Sequence, residues 1–453
     1  MAIEQDNSLF PNGVYKRTVL APLFEGAKTH YVAPVRSINQ AHLVMLVETG
    51  IIASEQGRQI ARALAQIDEQ VDVNTLEYTG EYEDYFFLVE AELKTRLGAD
   101  LAGMLHTARS RNDMDHTIFK MVLRQRTDDF LQQALTLAQT LLAKAKSERD
   151  TLIVAYTHGQ PAQPTTFGHY LSAVLEVLLR DIDRLLLARD QLNHCPMGAA
   201  AITTTGFAID RSRVAQLLGF SEPLLNSYGC IASVDYITGL YSAIKLMMLH
   251  LGRVVQDMQF WTAFEVAQLY IPNSLVQISS IMPQKRNPVP IEHMRHLASV
   301  SVGRCDAIVN TMHNTPFTDM NDSEGEVQQA GYAAFESSGR AVDLLATLID
   351  ACSINDERVA ATSNAACITI TELADSLVRQ ESLSFRQAHE IAADTSRAVI
   401  DEGKALSEGF HRFKEVFKNR LERSTLFTEK EFRRAVSARH FVDVRLQPGG
   451  PAP

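Results

Sequence analysis

Five stretches of this chain place apolar residues three to four positions apart over lengths that suit long helices. From Ile118 to Arg149, residues Met121, Leu123, Phe130, Leu131, Ala134, Leu135, Leu137, Ala138, Leu141 and Leu142 recur at that spacing, with no glycine or proline between them. A second pattern runs from about Phe167 to Leu192, interleaved with Arg180, Asp181, Asp183 and Arg184. A third spans about Val234 to Phe264. Its middle, Ala243 to Leu251, is apolar nearly all round, which predicts burial on every side, in a bundle centre or a subunit interface. Two more follow, from about Ile291 to Thr311 and from Val327 to Ala351. Helices of about 25–30 residues are about 40 Å long and suit an elongated antiparallel bundle better than a compact globule. The patterns before about Asp113 and after about Thr362 are shorter and more broken. The expectation is therefore an all-α protein in three parts: an N-terminal helical domain (1–113), a central long-helix bundle (114–361) and a small C-terminal helical domain (362–453). The last residues, with Pro448, Gly449, Gly450, Pro451 and Pro453, cannot form a helix.

Composition narrows the function classes. The 453 residues are 46% hydrophobic and 21% charged, enough for a large core. A formal net charge of −11 and the absence of any basic run argue against a nucleic-acid or membrane-surface partner. No apolar run approaches the ~18 residues of a membrane span, and Met1 to Asn7, with Glu4 and Asp6, shows no secretory leader. The five cysteines are dispersed without CxxC spacing, which predicts buried thiols in a reducing cytoplasm rather than a disulfide framework or a zinc site. No HExxH spacing, Walker loop or strand-associated GxGxxG occurs, so neither a metal nor a nucleotide cofactor is expected.

Candidate chemistry lies in three polar clusters. Residues 279–288 (Ser-Ser-Ile-Met-Pro-Gln-Lys-Arg-Asn-Pro) cannot be a regular helix with Pro283 and Pro288 inside them. A loop offering hydroxyls, backbone N–H groups and one lysine suits a carboxylate. The second cluster, His106 to Asp113, precedes the first long helix, where free N–H groups and the helix dipole favour an anion. Arg111 can grip a carboxylate with two hydrogen bonds, and Ser110 and Asn112 are neutral donors beside it. The third, Tyr156 to Thr166, precedes the second long helix; Thr157 can donate to a carboxylate and His158 can move a proton near neutral pH. Taken alone, the Ser280 and Arg111 clusters are better read as ordinary polar turns, and His158 is equally well a structural hydrogen-bonder.

Together and in this order, the clusters resemble the three signature regions of the aspartase/fumarase superfamily, whose members eliminate across a succinyl C–N or C–O bond to release fumarate. The string His106-Thr-Ala-Arg-Ser-Arg-Asn-Asp113 resembles the argininosuccinate lyase branch, as do Gln163 to His169, Ile209 to Arg211, Asn226-Ser227, Glu372 to Arg379, Phe385 to Ile391 and the terminal Gly-Gly-Pro-Ala-Pro. The likeness covers nearly the whole chain. It implies a homotetramer with a core of some twenty helices and active sites each shared by three subunits. It also implies roles for single residues. Ser280 is the base that takes the Cβ proton, helped by the backbone around Ile281 and Met282 and by Lys285. Lys285 and Asn287 hold the developing charge. Ser110, Arg111, Asn112 and Thr157 orient the other carboxylate. His158, polarised by Glu292, binds a carboxylate or transfers a proton.

The chain departs from that branch on the amine-holding side. An acidic position is Val35, a Gly-Ser pair is Ile38-Asn39, and an Asp-Val-His motif is Asp84-Tyr-Phe. Where the branch carries tyrosine, glutamine and lysine, this chain has Pro316, Asn321 and Glu324. A pocket built to pair arginine's polar groups should reject arginine once those partners change. The expected reaction is thus release of fumarate from an N-succinyl aminocarboxylate, and the lead expectation resembles ethylenediamine-N,N′-disuccinate (EDDS) lyase. The alternatives are argininosuccinate cleavage and a non-catalytic, crystallin-like relative. The lead substrate carries carboxylates on its amine half, so spare cations are sought there: Arg36 first, then Lys28 and Lys120.

Overall fold

The computed structural model describes residues 10–452 and is overwhelmingly helical, with β structure confined to short two-stranded pairs. The five long patterns are helices at Arg111–Ser147, Phe167–Gln191, Asp235–Thr262, Val289–Thr311 and Gly325–Ala351. The first begins seven residues before the apolar repeat does, because its opening turn is polar and is fixed by side-chain capping. Within the described residues, no helix is long and apolar enough to cross a membrane.

Chain contacts divide into two compact units, each assembled from three segments. The first comprises Met1–Gln133, Asp181–Leu249 and Ala298–Gly339. Its core is aromatic: Phe335 meets Phe130 at 6.3 Å and Tyr241 at 5.8 Å, and Tyr31 meets Phe119 at 5.7 Å. In the apolar middle of the Asp235–Thr262 helix, Ile244, Met247, Met248 and Leu251 are buried while Leu246 and Leu249 stand exposed. Burial on every side is therefore not met within one chain.

The second unit comprises Ala134–Arg180, His250–Leu297 and Arg340–Pro453. Its C-terminal helices enclose Leu377, Ile391, Phe413, Phe417 and Phe432. Glu381, buried there, accepts hydrogen bonds from Thr425, Arg423 and the Leu426 amide, which keep its carboxyl ionised against the cost of burial. The same unit holds a β-hairpin, Leu152–Thr157 against Gln160–Thr166, that the helical reading did not foresee. Buried Gln268 docks on it like a fragment of a third strand: its Oε1 accepts from the Val154 N–H at 3.1 Å and its Nε2 donates to the Val154 carbonyl at 3.3 Å. The helix that follows starts tight against its neighbour, since a Cβ on Gly168 would lie 2.5 Å from the Ala145 carbonyl oxygen. Only glycine allows that approach.

Candidate active site

In the first unit, Ser110 to Asp113 form the capped start of the Arg111–Ser147 helix. The Ser110 Oγ accepts from the Asn112 N–H at 3.3 Å, and the Asp113 carboxylate reaches back to the Ser110 N–H at 3.0 Å, a reciprocal cap. The other Asp113 oxygen accepts from the Gly198 and Ala200 amides at 2.8 and 2.9 Å, tying the turn to the 198–200 loop. Asn112 Nδ2 adds a bond to the Ala201 carbonyl at 3.1 Å. Burial raises the Asp113 pKa to about 6, and the three amides hold it from going higher. Sequence reasoning gave Asp113 no role, yet it positions the residues beside it. Replacing it with alanine leaves three amides unpaired, that of Gly198 buried and those of Ser110 and Ala200 half-buried, and is expected to cost about 3 kcal/mol of stability, read as a lower denaturation midpoint. The sign with pH follows. The folded form holds this proton more tightly, so stability falls as pH rises from the ordinary carboxylate range through about 6. The alanine variant should lack that part of the slope.

Arg111 is already engaged. Its Nη1 lies 2.8 Å from Asp84 and 3.1 Å from Glu83, and its guanidinium sits 5.0 Å from the Phe87 ring centroid. Burial works against its charge, but the two carboxylates outweigh that and its pKa is raised. Asp84 is itself fixed, because it caps the Tyr85–Leu97 helix by accepting from the Phe87 amide.

Arg111 borders a cavity of about 320 Å³ within this unit. Val35, Tyr85, Phe86, Asn321 and Glu324 also line it, and these are five of the positions at which the chain departs from the branch it resembles. The departures thus share one space with the predicted anchor. That space is acidic. Glu83, Asp84, Asp115, Glu324 and Glu326 line it, and among the described residues Arg111 is its one cationic side chain. The cations sought from sequence lie elsewhere. Arg36 pairs with Asp68 at 2.8 Å, Lys28 with Glu25 at 2.9 Å, and Lys120 donates to the Gln191 carbonyl beside the Tyr236 ring. The half-buried carboxylate of Asp115 carried no motif, so sequence reasoning passed over it.

The second unit carries the other predicted residues. Thr157 ends the first strand of the hairpin, and His158 and Gly159 make its two-residue turn, with φ of 55° and 72°. Positive φ at both positions is the turn that matches strand twist, and it sets Thr157 and His158 at an exposed tip. The Ser280 loop closes on a short antiparallel pair, Gln277–Ile278 with Arg286–Asn287. Arg286 clamps its base by donating to the Ile271 carbonyl at 2.6 Å and to Asn273 at 2.9 Å, over the Tyr270 ring. Sequence reasoning missed this residue too. Ser280, Ile281, Met282 and Lys285 are exposed, Asn287 is half-buried, and Glu292 is exposed in the first turn of the Val289–Thr311 helix. The Ile281 and Met282 amides, expected to serve Ser280, donate here to the Ser279 Oγ at 3.4 and 3.1 Å.

Helical architecture and these three clusters define a lyase of the fumarate-releasing superfamily. A family model described as "Lyase" matches residues 30–303, and one described as "Argininosuccinate lyase C-terminal" matches residues 367–443. The chain is 60% identical over 451 residues to "Argininosuccinate lyase 2" of Agrobacterium fabrum, covering 99% of this chain and 90% of that protein. It is 33% identical to "Argininosuccinate lyase 1" of Shouchella clausii, over 94% and 85% of the two chains. Among solved structures, EDDS lyase in complex with formate superposes with a TM-score of 0.84 at 28% identity, covering 96% of this chain and 86% of that one. The chain belongs to the argininosuccinate lyase branch of the aspartase/fumarase superfamily, and it is a carbon–nitrogen lyase that releases fumarate.

Proposed function

We propose that the protein reversibly eliminates an amine from an N-succinyl compound. Ser280 takes the Cβ proton, the electron pair forms the C=C bond of fumarate, and the C–N bond breaks with its pair going to nitrogen, which gains a proton. Lys285 and Asn287 stabilise the dianion formed on the way. Ser110, Arg111, Asn112 and Thr157 hold the other carboxylate, and His158 with Glu292 binds or shuttles the proton. For the loop amides to assist Ser280, they must turn from Ser279 as the loop closes over substrate.

The working unit we infer is a homotetramer in which three subunits complete each site, built from the 1–113, 114–361 and 362–453 parts. Exposed leucines on the long helices support it: Leu179, Leu186, Leu187, Leu246 and Leu249 would otherwise face water. A cytoplasmic location agrees with five free, buried cysteines.

Of the two compounds that the relatives' names supply, argininosuccinate fits better than EDDS. The observation that carries this is the acidic cavity around Arg111, which favours an amine half of net positive charge, such as arginine with its guanidinium, over one whose two carboxylates offset its amines. The 60% identical relative points the same way. EDDS stays the second reading on the strength of the 0.84 TM-score. Mixing the protein with argininosuccinate or EDDS and following fumarate absorbance decides between them. Arginine release supports the first; fumarate from EDDS alone would replace it with the second.

A further inference from the structure

The cavity carries more negative charge than succinyl binding or Arg111 requires. Arg111 is paired with Glu83 and Asp84, so Asp115 and Glu324 share the space with a cation whose hydrogen bonds go to other carboxylates, and among the described residues no second cation lines it. Asp115 lies one helical turn beyond Arg111 on the same face, so both side chains look into one space. Tyr31, Phe24, Leu23, Ile118 and Phe119 supply apolar walls suited to methylene groups. Burial first, and then the charges of Glu324 and Asp84, raise Asp115 well above the carboxylate range. Burial and the adjacent Asp319 do the same to Glu324. Arg111 offsets this only in part, and a further cation placed between the two carboxyls would favour their ionised forms. A carboxylate entering the same space would be repelled, and among the described residues no lysine lines it to offset that.

We propose that Asp115 and Glu324 bind a positively charged group on the leaving amine and exclude amines that carry a carboxylate at that end. The substrate class is then an N-succinyl derivative of a diamine or of a carboxylate-free guanidino amine. This rests on the fumarate-releasing reading and goes beyond the choice between argininosuccinate and EDDS: among guanidino amines it ranks one without a carboxylate ahead of arginine.

The test runs the reaction backwards. Purified protein is mixed with fumarate and, separately, arginine, agmatine (arginine without its carboxylate), ethylenediamine and N-(2-aminoethyl)aspartate, and fumarate loss is followed. The expected result is a kcat/KM for agmatine at least tenfold above that for arginine, with N-(2-aminoethyl)aspartate slowest. Glu324→Lys should reverse the agmatine–arginine order, and Asp115→Asn and Glu324→Gln should shrink the gap. Calorimetric binding of agmatine to the unaltered protein, in buffers of different ionisation enthalpy, should register proton release as the carboxyls ionise. Arginine matching or exceeding agmatine, or binding without proton release, would overturn the proposal while leaving the lyase reading intact. Failure of every amine to consume fumarate would instead strike the lyase reading itself, and this inference with it.

Discussion

Ser280→Ala is expected to lower kcat by ~10²–10⁴, the usual contribution of a positioned base, while substrate still binds. The argument is chemical. A Cβ–H next to a carboxylate is a weak acid, and only a strong base placed against it can remove the proton. Anchoring residues grip the carboxylates whether or not the base is present. The serine lies exposed on a loop clamped at its base by Arg286, so truncating its hydroxyl disturbs no packing. Equilibrium binding of a succinyl compound should stay within a few-fold of the unaltered protein. A variant that turns over at near-normal rates would take the base role from Ser280; Ser279, whose Oγ holds two loop amides, would be the next to test.

Arg111→Leu should produce the next largest loss, about 2–5 kcal/mol of transition-state binding, or ~30-fold to ~5 × 10³-fold in kcat/KM. Substrate and transition state both present the carboxylate that Arg111 would grip, so the loss should fall mainly on KM. That pattern separates an anchor from a base. The Asp84 and Glu83 contacts complicate the stability readout. All three side chains are partly exposed, so losing the pair should itself cost under ~1 kcal/mol. A drop in kcat at unchanged KM would contradict the anchoring role.

What the sequence disclosed and what it hid divide by the range of the interactions involved. Helix spacing is local, and the Phe167–Gln191 and Val289–Thr311 helices fall within two residues of their expected bounds. The hairpin before Phe167 escaped notice because Pro161 and Pro164 argue against a strand. They are tolerated because this ribbon has only two strands, whose outer edges need few partners. Local motifs also pointed to Arg111, Ser280 and Asn287. The amine side was harder. Val35, Asp84, Asn321 and Glu324 are far apart along the chain, and nothing local says that they line one cavity or that Asp115 joins them. Expecting a carboxylated amine directed attention to Arg36 and Lys28, each of which already has an acidic partner of its own. The sign of that pocket's charge became visible only when tertiary packing brought the carboxyls together.

The left-handed backbone at His158 limits which replacements there can be interpreted. A non-glycine residue in that region costs about 1–2 kcal/mol, least for asparagine or aspartate and most for β-branched side chains. His158→Val would splay the ribbon and drag Thr157 with it, so the lost activity could not be credited to the imidazole. His158→Asn keeps the turn and removes the titrating ring. Natural variation at this position should likewise be confined to histidine, asparagine, aspartate and glycine, filtered by conformation before chemistry has any say.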